Sequence, residues 1–216
     1  MDTEIKFCGM TRAEDVAAAV QLGASHIGVI FAGGPRMVSP SAAAELIRPV
    51  PRHVGRVGVF DTRPAAEIAA TARAIGLSAV QLHGDPDTAT IDALRRDFDG
   101  AVWAVLRVAG AELPARAEAL FESADAVVLD ALVAGRLGGT GVTLPWQTLA
   151  APLARVRHGA RLVLAGGLRF ENVGAAIEAL HPDVVDVSSG VESAPGVKDH
   201  NRMRAFRDAV RGAIEA

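Results

Sequence analysis

Eight short apolar segments at a near-constant interval constrain this 216-residue chain more than any other feature. They are Ile5-Lys6-Phe7, His26 to Phe31, Val54 to Phe60, Ala79 to Leu82, Val102 to Leu106, Ala126 to Leu129, Arg161 to Leu164 and Val184 to Val187. Most are rich in Val and Ile and continuously apolar, as parallel strands covered on both faces are. Ala-rich amphipathic stretches lie between them, at Arg12 to Leu22, Ala65 to Ile75, Thr88 to Phe98 and Glu171 to Leu180. Ser39-Pro40, Thr62-Arg63-Pro64 and Asp85-Pro86 mark helix starts, where a capping residue meets Pro in the first turn. Gly23, Gly76 and Gly100 mark helix ends, where a left-handed cap is needed.

With strand ends at Cys8, Phe31, Phe60, His83, Arg107, Asp130, Ala165 and Ser188, the steps are 23, 29, 23, 24, 23, 35 and 23 residues. Eight βα units filling the chain predict an α/β fold, a single-domain (β/α)8 TIM barrel over residues 1–216. A doubly wound open sheet would usually have fewer units and a Gly-x-Gly-x-x-Gly after its first strand, which this chain lacks. The longest step follows Asp130, so Ala131 to Pro145 reads as a functional loop.

Half the residues are hydrophobic, enough for a large core, and 22 Lys+Arg against 25 Asp+Glu leave a net charge of −3. That balance argues against a nucleic acid or an anionic membrane as partner, since both need a basic face. Val16 to Pro35 is uncharged, but Gln21, Gly23, Ser25, His26, Gly28, Gly33 and Gly34 interrupt it. A helix, a turn and a buried strand account for it better than a membrane span. The first 15 residues carry several charges and no secretory apolar run, and the single cysteine suits a reducing compartment. The expectation is a cytoplasmic protein.

In a barrel, chemistry gathers where strands end. The candidates there are Cys8, Arg36, Gln81, His83, Asp130, Gly166, Gly167, Asp186, Ser188, Ser189 and Gly190, joined by Gly139 and Gly141 of Gly138-Gly139-Thr140-Gly141. Glycine lets backbone N–H groups converge on one oxyanion, and the loops after strands 7 and 8 are this fold's recurring phosphate site. The ligand expected is therefore a phosphorylated small molecule. Cys8 is either a small buried apolar residue or a general base whose thiolate an N–H-rich surface favours. Asp130 is a turn former or an acid set diametrically across the barrel from that base. Arg36 is a carboxylate fork or a solvated loop charge, His83 a packed strand-end residue or a catalyst, and Asp186 an orienting group. His26, His53, His158, His181 and His200 make no metal-ligand spacing with Cys8, so no catalytic metal is expected.

Several runs resemble phosphoribosylanthranilate isomerases across essentially the whole chain. They are Lys6-Phe7-Cys8-Gly9-Met10-Thr11, Pro35-Arg36, Val80-Gln81-Leu82-His83-Gly84, Leu129-Asp130, Gly138 to Gly141, Leu164 to Leu168 with Glu171-Asn172-Val173, and Asp186 to Glu192. The resemblance implies an Amadori rearrangement in tryptophan biosynthesis, carried out by a monomer or homodimer without cofactor or metal. In it Asp130 would protonate the furanose oxygen, Cys8 would remove a proton from the adjacent sugar carbon, and Arg36 would hold the anthranilate carboxylate. Backbone groups near Gly166, Gly167, Ser189 and Gly190 would hold the phosphate. The chain departs from the family pattern at Met37, at Asp61-Thr62, and at Val197-Lys198-Asp199-His200. A related histidine-pathway isomerase would carry Asp in place of Cys8, and a phosphate sensor would need neither Cys8 nor Asp130.

Overall fold

A computed structural model describes residues 3–131 and 143–215. Eight parallel strands close into one barrel in sequence order. They are β1 Glu4–Phe7, β2 His26–Ile30, β3 Gly55–Phe60, β4 Ala79–Leu82, β5 Ala101–Val108, β6 Ala126–Ala131, β7 Arg161–Leu164 and β8 Val184–Val187. Each predicted strand forms, with ends shifted by at most two residues. Helices α1 Ala13–Gln21, α2 Pro40–Ile47, α3 Ala65–Ile75, α4 Thr88–Arg95, α5 Ala117–Ser123, α6 Trp146–Val156, α7 Val173–Leu180 and α8 His200–Ile214 alternate with them. Between β8 and α8 the chain adds a 3-10 turn, Ser189–Val191, and a two-stranded hairpin, β9 Glu192–Ala194 with β10 Val197–Lys198. No helix among the described residues is long and apolar enough to cross a membrane.

The punctuation is partly as expected. Ser39 Oγ accepts from the Ala42 N–H, capping α2 above Pro40. Gly23 and Gly76 adopt φ of 79° and 72°, the left-handed turn for which glycine is suited. Gly100 does not: a Cβ there would lie 2.7 Å from the Ser78 carbonyl oxygen and 2.3 Å from Phe98, so close approach explains it. The cap of α4 is Asp87, whose carboxylate accepts from the Thr90 N–H, rather than Asp85. Pro64 is itself the N-cap residue of α3 and has no side-chain acceptor, so this helix starts without a side-chain cap.

Strand residues alternate between two cores, as period-two side chains must. Outward positions such as Phe7, Ile27, Val80, Leu106 and Val127 pack with Val16, Ile68, Ile91, Leu149 and Phe206 of the helices. Full burial of each such side chain contributes roughly 1.5–3 kcal/mol. Inward positions Val57, Ala79, Trp103, Val105, Ala126, Val128, Val163 and Val184 fill the barrel. At its N-terminal floor His26 meets the edge of Trp103 at 5.0 Å. Burial, with Lys6 and Arg161 nearby, pushes His26 down to about 4 and keeps it neutral there near pH 7. Higher in the barrel the inward positions are not apolar: Lys6, Gln81, Arg107, Asp130 and Asp186 are all buried. The continuous apolar reading of the strands therefore fails on this one face, at the end where the site lies.

Candidate active site

The inward register carries every strand-borne candidate to the C-terminal mouth. A cavity of about 360 Å³ opens there, and every described candidate lines it: Cys8, Arg36, Gln81, His83, Asp130, Gly166, Gly167, Asp186, Ser188, Ser189 and Gly190. Gly139 and Gly141, with most of the long loop after Asp130, lie outside the described residues. Among the described residues no His, Cys, Asp and Glu cluster could hold a metal ion.

Asp130, the residue before the last of β6, is only 6% exposed, and its Oδ1 accepts from the Ala131 N–H at 2.9 Å. Burial pushes its carboxyl up to about 6, against the pull of that N–H and of Arg107, its cross-strand neighbour on β5. Such a carboxyl holds a proton far more readily than a solvated one. Gly166 presses on it, with φ of 83° and a would-be Cβ 2.7 Å from Oδ1. Asp130 is not diametrically opposite Cys8: β7 and β8 alone separate β6 from β1 on one side, whereas β5 faces β1.

Cys8 follows β1 and is the chain's single, free, buried thiol. Burial pushes it up, and the ammonium of Lys6 pulls it partly back. The expected lowering by a surface of amides is thus replaced by a net rise, with a lysine as the main counterweight. Lys6 is fully buried; its Nζ donates to Asp186 Oδ2 at 2.6 Å and to Gln81 Oε1 at 2.9 Å. Lys6 and Asp186 are direct partners across β1 and β8, so register alone puts them together.

Arg36, in the loop after β2, forks onto Glu192 of the hairpin, with Nε at 2.8 Å and Nη2 at 2.6 Å. Lys198 also reaches Glu192, at 2.9 Å, and donates to the Ser188 carbonyl at 3.1 Å. Two cations around one carboxylate leave a surplus positive charge at the rim. The glycine loops after β7 and β8 are packed so closely that a Cβ on Gly190 would meet the Leu168 carbonyl oxygen at 1.9 Å. His83 gives its carbonyl to Arg107, whose other end meets Asp85 at 3.0 Å. Lys6, Arg107, Glu192 and Lys198 thus belong to the site's electrostatics although they are not among the site candidates read from the sequence. The inward parity of Lys6 with Cys8, and of Arg107 with Trp103 and Val105, was the available signal.

Of the departures from the family pattern, Met37 follows the lining residue Arg36 but does not itself line the cavity and is 56% exposed. Thr62 backs onto Gly84 and Asp61 pairs with Arg63, both outside the cavity lining. His200 pairs with the buried Asp15 of α1 at 2.8 Å, and Asp199 caps α8.

A profile of the N-(5'phosphoribosyl)anthranilate (PRA) isomerase family matches residues 5–209. The chain belongs to this family. It is 40% identical over 212 residues to the N-(5'-phosphoribosyl)anthranilate isomerase of Pseudomonas fluorescens (strain SBW25), covering 98% of this chain and 97% of that one. It is also 40% identical over 221 residues to the Dechloromonas aromatica (strain RCB) isomerase, at full coverage of both. The solved phosphoribosyl anthranilate isomerase of Thermotoga maritima superposes with a TM-score of 0.88 at 33% identity, covering 97% of this chain and 99% of that one. Another solved isomerase, in complex with reduced 1-(o-carboxyphenylamino)-1-deoxyribulose 5-phosphate, superposes at 0.84 with 32% identity, again over 97% and 99%.

Proposed function

We propose that this chain is an intramolecular aldose–ketose isomerase of tryptophan biosynthesis. It converts N-(5-phosphoribosyl)anthranilate into 1-(2-carboxyphenylamino)-1-deoxyribulose 5-phosphate, with Asp130 as general acid and Cys8 as general base. The observation that carries the reading is the meeting, in one cavity, of a buried carboxyl raised to about 6 and a buried thiol beside a lysine. Proton-transfer isomerisation needs such an acid and base, and binding alone needs neither.

The protonated Asp130 gives its proton to the furanose ring oxygen; the bond from that oxygen to C1 breaks as the nitrogen lone pair forms a Schiff base. The Cys8 thiolate then takes the C2 proton, the electrons move into a C1–C2 double bond, and nitrogen recovers its lone pair. Ketonisation returns a proton to C1 as the enol loses one, so no atom or electron enters or leaves. Each positioned proton transfer supplies typically a factor of about 10² to 10⁴. Arg36, with the surplus charge of the Glu192 and Lys198 cluster behind it, takes the anthranilate carboxylate. The closely packed glycine loops after β7 and β8 take the phosphate. All of this lies within one catalytic domain and requires no cofactor.

The purified protein is expected to extinguish anthranilate fluorescence when it meets freshly formed phosphoribosylanthranilate. Cys8→Ser should abolish turnover yet still bind a product analogue. Turnover at near wild-type rate in that variant removes Cys8 as base.

A further inference from the structure

Lys6 is a buried ammonium that the two proton transfers do not use. Its three N–H donors have Asp186 Oδ2 and Gln81 Oε1 as acceptors, which leaves one. Trp103 lies beneath it, with the ring centroid 5.7 Å from Nζ. Above it is Cys8, two residues further along the chain just past the end of β1, where it lines the cavity. The remaining donor makes no hydrogen bond among the described residues, and the Cys8 sulfur lies within electrostatic reach of the ammonium. Asp186 has only one oxygen engaged, since Oδ1 is buried with no hydrogen-bond partner among the described residues. A buried ion pair of this kind is weak evidence for stability, so its presence asks for another role.

We propose that Lys6 is a positioning residue for the Cys8 base: its ammonium, clamped by Asp186 and Gln81, is the fixed charge against which the thiolate forms. The proposal rests on the reading of Cys8 as base. Burial raises the thiol, Lys6 is the largest opposing influence, and Asp186 acts in the same direction as burial. The other charges acting on the sulfur are Lys198 on β10 and Arg36 from the loop after β2. Both are already engaged by Glu192. Lys6 is engaged by Asp186, so the charge that Cys8 experiences depends on how completely Asp186 neutralises Lys6.

The chain's composition gives a direct readout. Cys8 is the single cysteine and there is no tyrosine, so the ultraviolet absorbance of the thiolate titrates without another thiol or a tyrosinate beneath it. Lys6→Met should move that titration up by about 1 to 3 pH units, the usual effect of losing an adjacent opposite charge. Asp186→Asn should move it down, because Lys6 then has Cys8 as its remaining counter-charge. A merely structural pair would not give opposite signs. An unmoved titration in Lys6→Met, or shifts of the same sign in both variants, overturns the proposal. If Lys6→Met does not fold, Asp186→Asn decides alone: a downward shift supports the proposal and no shift overturns it. The thiol limb of the kcat profile should follow the titration. A titration that moves while the limb stays leaves the Lys6–Cys8 coupling standing and removes Cys8 as base.

Discussion

Gly166 and Asp130 are shaped to each other: a Cβ on the glycine would stand 2.7 Å from the carboxyl Oδ1, and the glycine backbone has a φ of 83°. The residue that turns the loop after β7 is thus also a wall of the acid's pocket. Gly166→Ala should cost about 1–3 kcal/mol through the left-handed backbone. It should lower kcat/KM about 100-fold or more, since a shift near 1 Å in a reacting group has that effect. Steady-state kinetics beside a thermal melt separate the two, and near wild-type kcat/KM would show that the position of Asp130 is not critical.

The burial of Asp130 has a thermodynamic signature. Its folded carboxyl, raised to about 6 from an ordinary 3.8, favours the protonated form. The associated stability is present in full below pH 3.8 and is lost as pH rises through 6, on the order of 3 kcal/mol at 1.36 kcal/mol per unit. Asp130→Asn does not titrate. Denaturant unfolding of both proteins should therefore show the variant gaining on the wild type between about pH 4 and pH 7. A constant difference would mean that burial does not raise this carboxyl.

The pair also sets the shape of the activity profile. Near pH 7 the raised thiol is mostly protonated and the carboxyl mostly ionised, the reverse of the forms that the proposed mechanism uses. The active microstate is then a minority, and kcat/KM should rise to a plateau at about pH 6 and fall above the thiol's own titration. The limb near 6 belongs to the acid. A profile already flat down to about pH 4 would contradict the raised carboxyl.

Much of this was legible in the sequence because it depends on local order. Strand spacing, Val and Ile runs and capping residues act within a few residues, and β4, β7 and β8 appear with the bounds their sequences suggest. The loop glycines were legible for the same reason, since a positive φ at Gly166 and Gly167 is a backbone demand. What was hidden depends on closure. Lys6 and Asp186 are 180 residues apart and meet only because β1 pairs with β8. Arg36 and Glu192 are 156 apart and meet because the hairpin folds back over the loop after β2. The direction of the Cys8 shift was misjudged for a related reason: burial is a property of the closed barrel, and no local motif reports it.

The rim cluster supplies a last prediction. Arg36 and Glu192 alone form a neutral pair; Lys198, buried on β10, makes the cluster positive and ties it to the Ser188 carbonyl of the loop after β8. A substrate bearing both a carboxylate and a phosphate is drawn by that surplus charge. One unit charge at about 8 Å and an effective dielectric of about 20 is worth about 2 kcal/mol. Lys198→Met should therefore raise KM by roughly 10- to 30-fold and flatten its dependence on salt, with a smaller loss in kcat through the weaker pull on Cys8. Lys198→Arg should restore most of the affinity by restoring the charge. Initial rates at low and high ionic strength provide the test, and an unchanged KM in Lys198→Met would place carboxylate recognition on Arg36 without help from the hairpin.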